Sequence, residues 1–135
     1  MDNEQLIELA KKAREKAYVE LSGFKVGAAL LTKCGKVFTG CNIEDPSGIG
    51  VTNVCAERCA VIKAVSEGFV DFVKIAVVGG HGSSDELVFC APCGACRQYL
   101  NSYNHDVKVV LGYGDDEIKE ISLTELLPFS FNEKF

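Results

Sequence analysis

Short apolar runs of strand length alternate with segments of helical period along the whole chain. Few folds accommodate that alternation, because strands interleaved with helices imply α/β layering. Residues 3–18 read as a helix, with Leu6, Leu9, Ala10, Ala13 and Ala17 at i, i+3, i+4 spacing and Asp2 or Asn3 as its cap. Val26–Thr32 and Lys36–Asn42 read as a hairpin around the turn Lys33-Cys34-Gly35. Asp45–Gly50, with one proline and two glycines, reads as a loop. Thr52 or Asn53 can cap a helix from about Val54 to Glu67, which Gly68 stops. Val73–Val78 reads as a buried strand and Gly79–Glu86 as a flexible loop. Pro92 suits the first turn of a helix reaching about Ser102. Val107–Leu111 is a third buried-type strand, Glu117–Ile121 a possible edge strand, and Leu123–Leu127 a short last helix. With no repeat, linker or charge block, residues 1–135 read as one domain, a size at which a core can bury about two-thirds of the unfolded surface.

The topology has a chemical consequence. If the strands preceding the helices at Val54 and Pro92 run parallel, both helix N-termini open on one sheet edge. Cys55 then lies in the first turn of one helix and Cys93 in that of the other, although 38 positions separate them. Cys93-Gly94-Ala95-Cys96 places two sulfurs about one turn apart on one face, and Cys55 supplies a third. Three thiolates form three corners of a tetrahedron and leave the fourth for water, the layout of a catalytic zinc site. Helix N-termini favour thiolates, so both positions suit metal ligands. Glu57, two positions from Cys55, projects near the metal without having to bind it, and is a natural proton carrier for that water.

Seven cysteines in 135 residues, an odd number in a domain large enough to need no staples, argue against a disulfide framework and for metal or reactive thiols. Cys90-Ala91-Pro92-Cys93 is a second, overlapping CxxC, but Cys90 precedes the helix, which favours Cys93 with Cys96. Cys59, four residues after Cys55, reads as a small core side chain. A structural zinc site would need a fourth ligand such as Cys59 or His81 and would leave Glu57 without a purpose. Gly79-Gly80-His81-Gly82 lacks the Gly-Lys-Ser/Thr of a phosphate loop. A net charge of −5 disfavours binding to polymeric nucleic acid. No apolar run reaches the ~18 residues of a membrane span, and the acidic Met1-Asp2-Asn3-Glu4 shows no secretory leader, so a cytoplasmic location is expected.

At Cys55-Ala56-Glu57-Arg58 and Pro92-Cys93-Gly94-Ala95-Cys96-Arg97-Gln98 the sequence resembles the cytidine deaminase family in its small three-cysteine form. Phe24-Lys25-Val26-Gly27-Ala28-Ala29-Leu30 resembles the family's F-x-V-G-A-A-L. Gly40-Cys41-Asn42-Ile43-Glu44 resembles G-C-N-I-E, and Leu126-Leu127-Pro128-Phe129-Ser130-Phe131 resembles L-L-P-x-x-F. The blocks stand in family order over nearly the whole chain. The resemblance implies a three-layer α/β/α fold around a mixed five-stranded sheet, and zinc-dependent deamination of cytidine and deoxycytidine in pyrimidine salvage. It implies one Zn²⁺ per subunit on Cys55, Cys93 and Cys96, with Glu57 as proton shuttle and Arg58 hydrogen-bonded to a ligand sulfur. Asn42 and Glu44 would bind the ribose hydroxyls, Phe24 would pack on the pyrimidine, and Ala56 would touch substrate. Phe131 would reach a neighbour's site within a homotetramer that shares its active sites. Between Glu44 and Cys55 the sequence departs from the family's N-A-S-Y, running about two residues longer and without tyrosine. A different cytosine-bearing nucleoside, such as a nucleoside antibiotic, is the alternative substrate, and a non-catalytic zinc or redox module the alternative class.

Overall fold

A computed structural model describes residues 1–82 and 85–132. Its elements are α1 (Asn3–Arg14), β1 (Phe24–Thr32), β2 (Val37–Cys41), α2 (Ala56–Ser66), β3 (Phe72–His81), α3 (Gly94–Tyr103), β4 (Lys108–Tyr113), β5 (Glu117–Ser122) and α4 (Leu123–Leu126). The strands form one sheet in the order β2-β1-β3-β4-β5. β1 is antiparallel to both β2 and β3, so those two run the same way, and β3 is parallel to β4. The sheet is therefore mixed, as expected. α2 leaves the carboxyl end of β2 and α3 follows that of β3, so both helix starts open on one sheet edge.

Period-two alternation divides the sheet residues between two cores. Ala28, Leu30, Ile75, Val77, Val109 and Leu111 pack with Ala56, Ala60, Leu100 and Leu123 of α2, α3 and α4. Ala29, Ala76, Val78 and Val110 pack with Leu6, Ile7 and Ala10 of α1. The result is three layers, with α1 alone on one face.

Glycine lets the helices sit against the sheet backbone. A Cβ on Gly27 would lie 2.0 Å from the Ala10 carbonyl oxygen, and one on Gly40 would lie 2.5 Å from the Ala56 oxygen and the Ala60 nitrogen. The Gly40 contact is what presses the start of α2 onto β2.

Several boundaries differ from the sequence reading. α1 stops at Arg14, four residues early, because Tyr18 leaves to bridge Ile43. Its buried face is Leu6, Ile7, Ala10 and Arg14, rotated from the expected one. Residues 50–52 form a short 3-10 turn, and Val54 bridges Ile43, so the cap of α2 is Cys55, neither Thr52 nor Asn53. Cys93, one residue after Pro92, caps α3. Gly79 and Gly80 belong to β3, paired with Val26 and Lys25. Of the expected loop 79–86, residues 83–84 lie outside the described residues.

Gly40→Ala should destabilise the protein by about 1–3 kcal/mol or more, since the new methyl must displace helix backbone. Urea unfolding checks this, and zinc content should fall with it because α2 carries Cys55.

Candidate metal centre and active site

Cys55 and Cys93 are the caps of α2 and α3, and neither side chain bonds its helix's amides. Serine or aspartate in those places would spend its oxygen on the cap. The sulfurs instead turn to each other. Cys55 Sγ lies 3.9 Å from Cys93 Sγ, and Cys93 Sγ lies 3.4 Å from Cys96 Sγ. All three fall within 4.8 Å of one another, the only such group among the described residues. Cys90 and Cys59 stand outside it.

Zinc–sulfur bonds of about 2.3 Å in a tetrahedron place sulfurs about 3.8 Å apart, close to these spacings. The protons on the sulfurs are shared unequally. Hydrogen bonding from Cys96 and Cys93, with the charge of Arg58, holds the Cys55 thiol down at about 5 against the opposing effect of burial. The same bond to Cys55, together with burial and the charge of Glu57, pushes Cys96 well up. A divalent cation relieves that repulsion and takes the protons' place. Arg58 sits beside this charge. Its Nη2 donates to the Asn53 carbonyl at 2.7 Å, while its Nε is buried without a hydrogen-bond partner.

Glu57 is buried in the first turn of α2, 5% exposed. Burial pushes its carboxyl up to about 7, its own backbone amide and Arg58 pull it down, and the Cys55 charge adds to the rise. A carboxyl near neutrality gives and takes protons readily.

Phe24, Asn42 and Glu44 gather at the start of β1. Asn42 Nδ2 donates to the Phe24 carbonyl and its Oδ1 accepts from the Val26 amide, each at 2.9 Å. Glu44 Oε1 accepts from the amides of Leu21 and Ser22, each at 3.1 Å, and these bonds, with that of the Ser22 side chain, hold its carboxyl below its usual range. Ser22 Oγ in turn accepts from the Phe24 amide. Phe24, Asn42 and Glu44 are thus brought together. The Phe24 ring meets His81 edge to face at 5.0 Å. Ala56, fully buried, follows Cys55 at the start of α2. Phe131 follows α4, its main chain pinned to α3 by Gln98 and Asn101 and the residue 56% exposed.

Residues 1–113 match the family described as "Cytidine and deoxycytidylate deaminase zinc-binding region". The chain is 51% identical to a cytidine deaminase of Halalkalibacterium halodurans, over 97% of this chain and 95% of that one. The chain belongs to the cytidine deaminase family. A blasticidin-S deaminase of Bacillus cereus is 35% identical over 96% of this chain and 94% of its own. The crystal structure of a cytidine deaminase from Burkholderia pseudomallei superposes with a TM-score of 0.85 at 44% identity, covering 97% of this chain and all of that one. This chain is accordingly a zinc-dependent deaminase with the α/β fold of the family. The three sulfurs fit the zinc that the family description names, and the partnerless Arg58 Nε is a donor suited to a thiolate held there.

The sequence reading missed two arginines that hold the site's walls. Arg14, buried in α1, donates to the carbonyls of Lys25 at 3.0 Å and Gly80 at 2.8 Å, the two residues paired across β1 and β3. Its place on the apolar face of α1, four positions after Ala10, was the available signal. Arg97 donates to the carbonyl of Pro92 at 2.7 Å and to that of Leu126 at 2.8 Å, fixing the approach to Cys93. The divergent loop is ordered by Asp45, which accepts from the Ser47 amide and hydroxyl at 2.7 Å and from the Thr52 hydroxyl. A surface hollow of about 960 Å³ lies between α1 and the β4–β5 hairpin and holds none of these residues.

Cys55→Ala, Cys93→Ala and Cys96→Ala should each lose zinc, while Cys90→Ser and Cys59→Ala keep it. Metal analysis of the purified variants decides, and an empty Cys90→Ser protein would shift the CxxC to Cys90 and Cys93.

Proposed function

We propose that this protein hydrolyses the exocyclic amine of cytidine and deoxycytidine, consuming water and releasing ammonia with uridine or deoxyuridine. The observation that carries the reading is the buried Glu57 carboxyl, near neutrality, in the first turn of the helix that Cys55 caps. Zinc held by Cys55, Cys93 and Cys96 would supply an acidified water. Glu57 takes up the proton of the water that adds at C4 and hands it to N3 of the base, then carries the next proton to the departing amine. Arg58 offsets the negative charge of three sulfurs. Phe24 packs on the pyrimidine. Asn42 and Glu44 take the ribose hydroxyls, supported by the hydrogen-bonding capacity that the Asn42 amide keeps after its two main-chain bonds and by the ionised Glu44 carboxylate beside it. Ala56 borders the base.

The chain acts as one domain over 1–135 and as a homotetramer with shared sites. Exposed apolar side chains support this: Phe129 is fully exposed, Val51 88% and Phe131 56% exposed. Phe131, held by α3 yet left outward, reaches a neighbour's base pocket. Pyrimidine salvage in the cytoplasm is the setting. Seven unpaired cysteines support a reducing compartment, and no helix among the described residues is long and apolar enough to cross a membrane. A nucleoside antibiotic is the second reading, favoured by the altered loop at 45–54. Absorbance assays with cytidine, deoxycytidine and blasticidin S separate the two, and turnover of blasticidin S alone would displace the first.

Glu57→Gln should keep zinc and bind nucleoside but lose roughly 10²–10⁴ or more in kcat, because an amide cannot carry the proton. Near-normal turnover sinks the mechanism. Phe131→Ala should weaken nucleoside binding more than it lowers stability. Mixed oligomers of Glu57→Gln and Phe131→Ala subunits should regain part of the activity, and no recovery in mass-verified mixtures means that each chain builds its own site.

A further inference from the structure

Gly79 lies in β3 on the face toward α2 and α3, opposite Val26 in the register. Its φ is not in the left-handed region, so conformation does not demand glycine there. Space does. A Cβ on Gly79 would stand 2.7 Å from Cys90 Sγ, 3.0 Å from Cys90 Cβ and 3.1 Å from Phe24 Cε1. The sulfur and the ring edge thus close on one point, which the missing methyl leaves open.

Cys90 has no part in the metal centre, since its sulfur lies outside the group of three. It is partly buried against the α2–α3 core. Burial, with the charge of Glu57 adding, pushes its thiol up to about 11, so it stays a neutral packing group beside the carboxyl. The segment before it is fixed, because the Val88 amide donates to the Gly79 carbonyl at 2.9 Å. Beyond Val77, the last residue of β3 paired with β4, Val88 takes up the position beside β3 at Gly79.

We propose that Gly79 and Cys90 are a complementary pair that seats the Phe24 ring for the base, the sulfur filling the place of the absent methyl. Cys90 is then a positioning residue that acts through Phe24. The inference rests on the reading of Phe24 as the residue packing on the pyrimidine. The two sites compensate in volume. A methyl at position 79 would meet the sulfur most closely, at 2.7 Å, and removing the sulfur leaves only the 3.0 Å contact to the Cβ of residue 90 and the 3.1 Å contact to the Phe24 ring edge, which small shifts relieve.

The test is a double-mutant cycle of Gly79→Ala and Cys90→Ala, with Phe24→Ala beside it, reading KM and kcat for cytidine and zinc content. Overpacking in Gly79→Ala should raise KM about tenfold with kcat and zinc kept. Cys90→Ala, which leaves the ring edge unsupported, should raise KM about threefold. The double variant should return to within about threefold of the wild type, because coupled sites are non-additive. KM in the double variant equal to the product of the single effects overturns the pair. Loss of zinc in Gly79→Ala also overturns it, since the contact would then place Cys93 and not the base. Phe24→Ala separates the two levels. An unchanged KM there removes the reading of the pocket and the pair's role with it, whereas a raised KM with an additive cycle removes the pair alone. If Gly79→Ala does not fold, Cys90→Ala decides: a raised KM with kcat and zinc kept supports the proposal, and an unchanged KM overturns it.

Discussion

Two helices begin at one sheet edge with a cysteine in each capping place, and the remaining chemistry is arranged around that meeting. Cys55 caps α2, Cys93 caps α3, and neither sulfur is spent on helix amides. Each sulfur sits at the positive end of a helix dipole, where a thiolate is favoured. A metal joining them also cross-links two secondary elements, so metal binding and folding share free energy. Gly40 makes the arrangement possible by letting α2 lie on the backbone of β2.

The charges balance within a few side chains. Crowded sulfurs repel one another as thiolates, and Arg58 opposes that repulsion from the same turn of α2. Glu57 needs the contrary environment. Its burial disfavours the carboxylate and brings proton affinity near neutrality, which a surface glutamate would not have. One helical turn therefore carries a thiol, a buried carboxyl and a counter-charge. The hollow beside α1 brings together no such set.

The segment at the start of β1 is held differently, by backbone hydrogen bonds and close packing. Asn42 bridges the main chain on both sides of Lys25, Glu44 gathers the amides of Leu21 and Ser22, and Arg14 ties β1 to β3. These polar groups hold the Phe24 segment by satisfying main-chain donors and acceptors that would otherwise be costly at the edge of the core. Gly27 and Gly40 let α1 and α2 lie on the sheet backbone, and Gly79 leaves the space that Cys90 and the Phe24 ring edge crowd.

By itself the sequence determined the α/β alternation, the meeting of Cys55, Cys93 and Cys96, and the position of Glu57 just after Cys55. Hydrophobic period and helix-start chemistry are written within a few neighbouring residues, and the α/β alternation they define is what brings helix starts 38 positions apart to one sheet edge. Element ends were less legible. Tyr18 and Val54 look helical in context but are drawn off to bridge Ile43, a partner distant in sequence. Gly79 and Gly80 read as loop because glycine is rare in strands, yet pairing with Val26 and Lys25 and the crowding by Cys90 and Arg14 put them in β3. The buried roles of Arg14 and Cys90 depend on carbonyls and rings contributed by other strands. Tertiary structure decided these points because each depends on which surfaces the sheet order brings into contact, and no local pattern encodes that order.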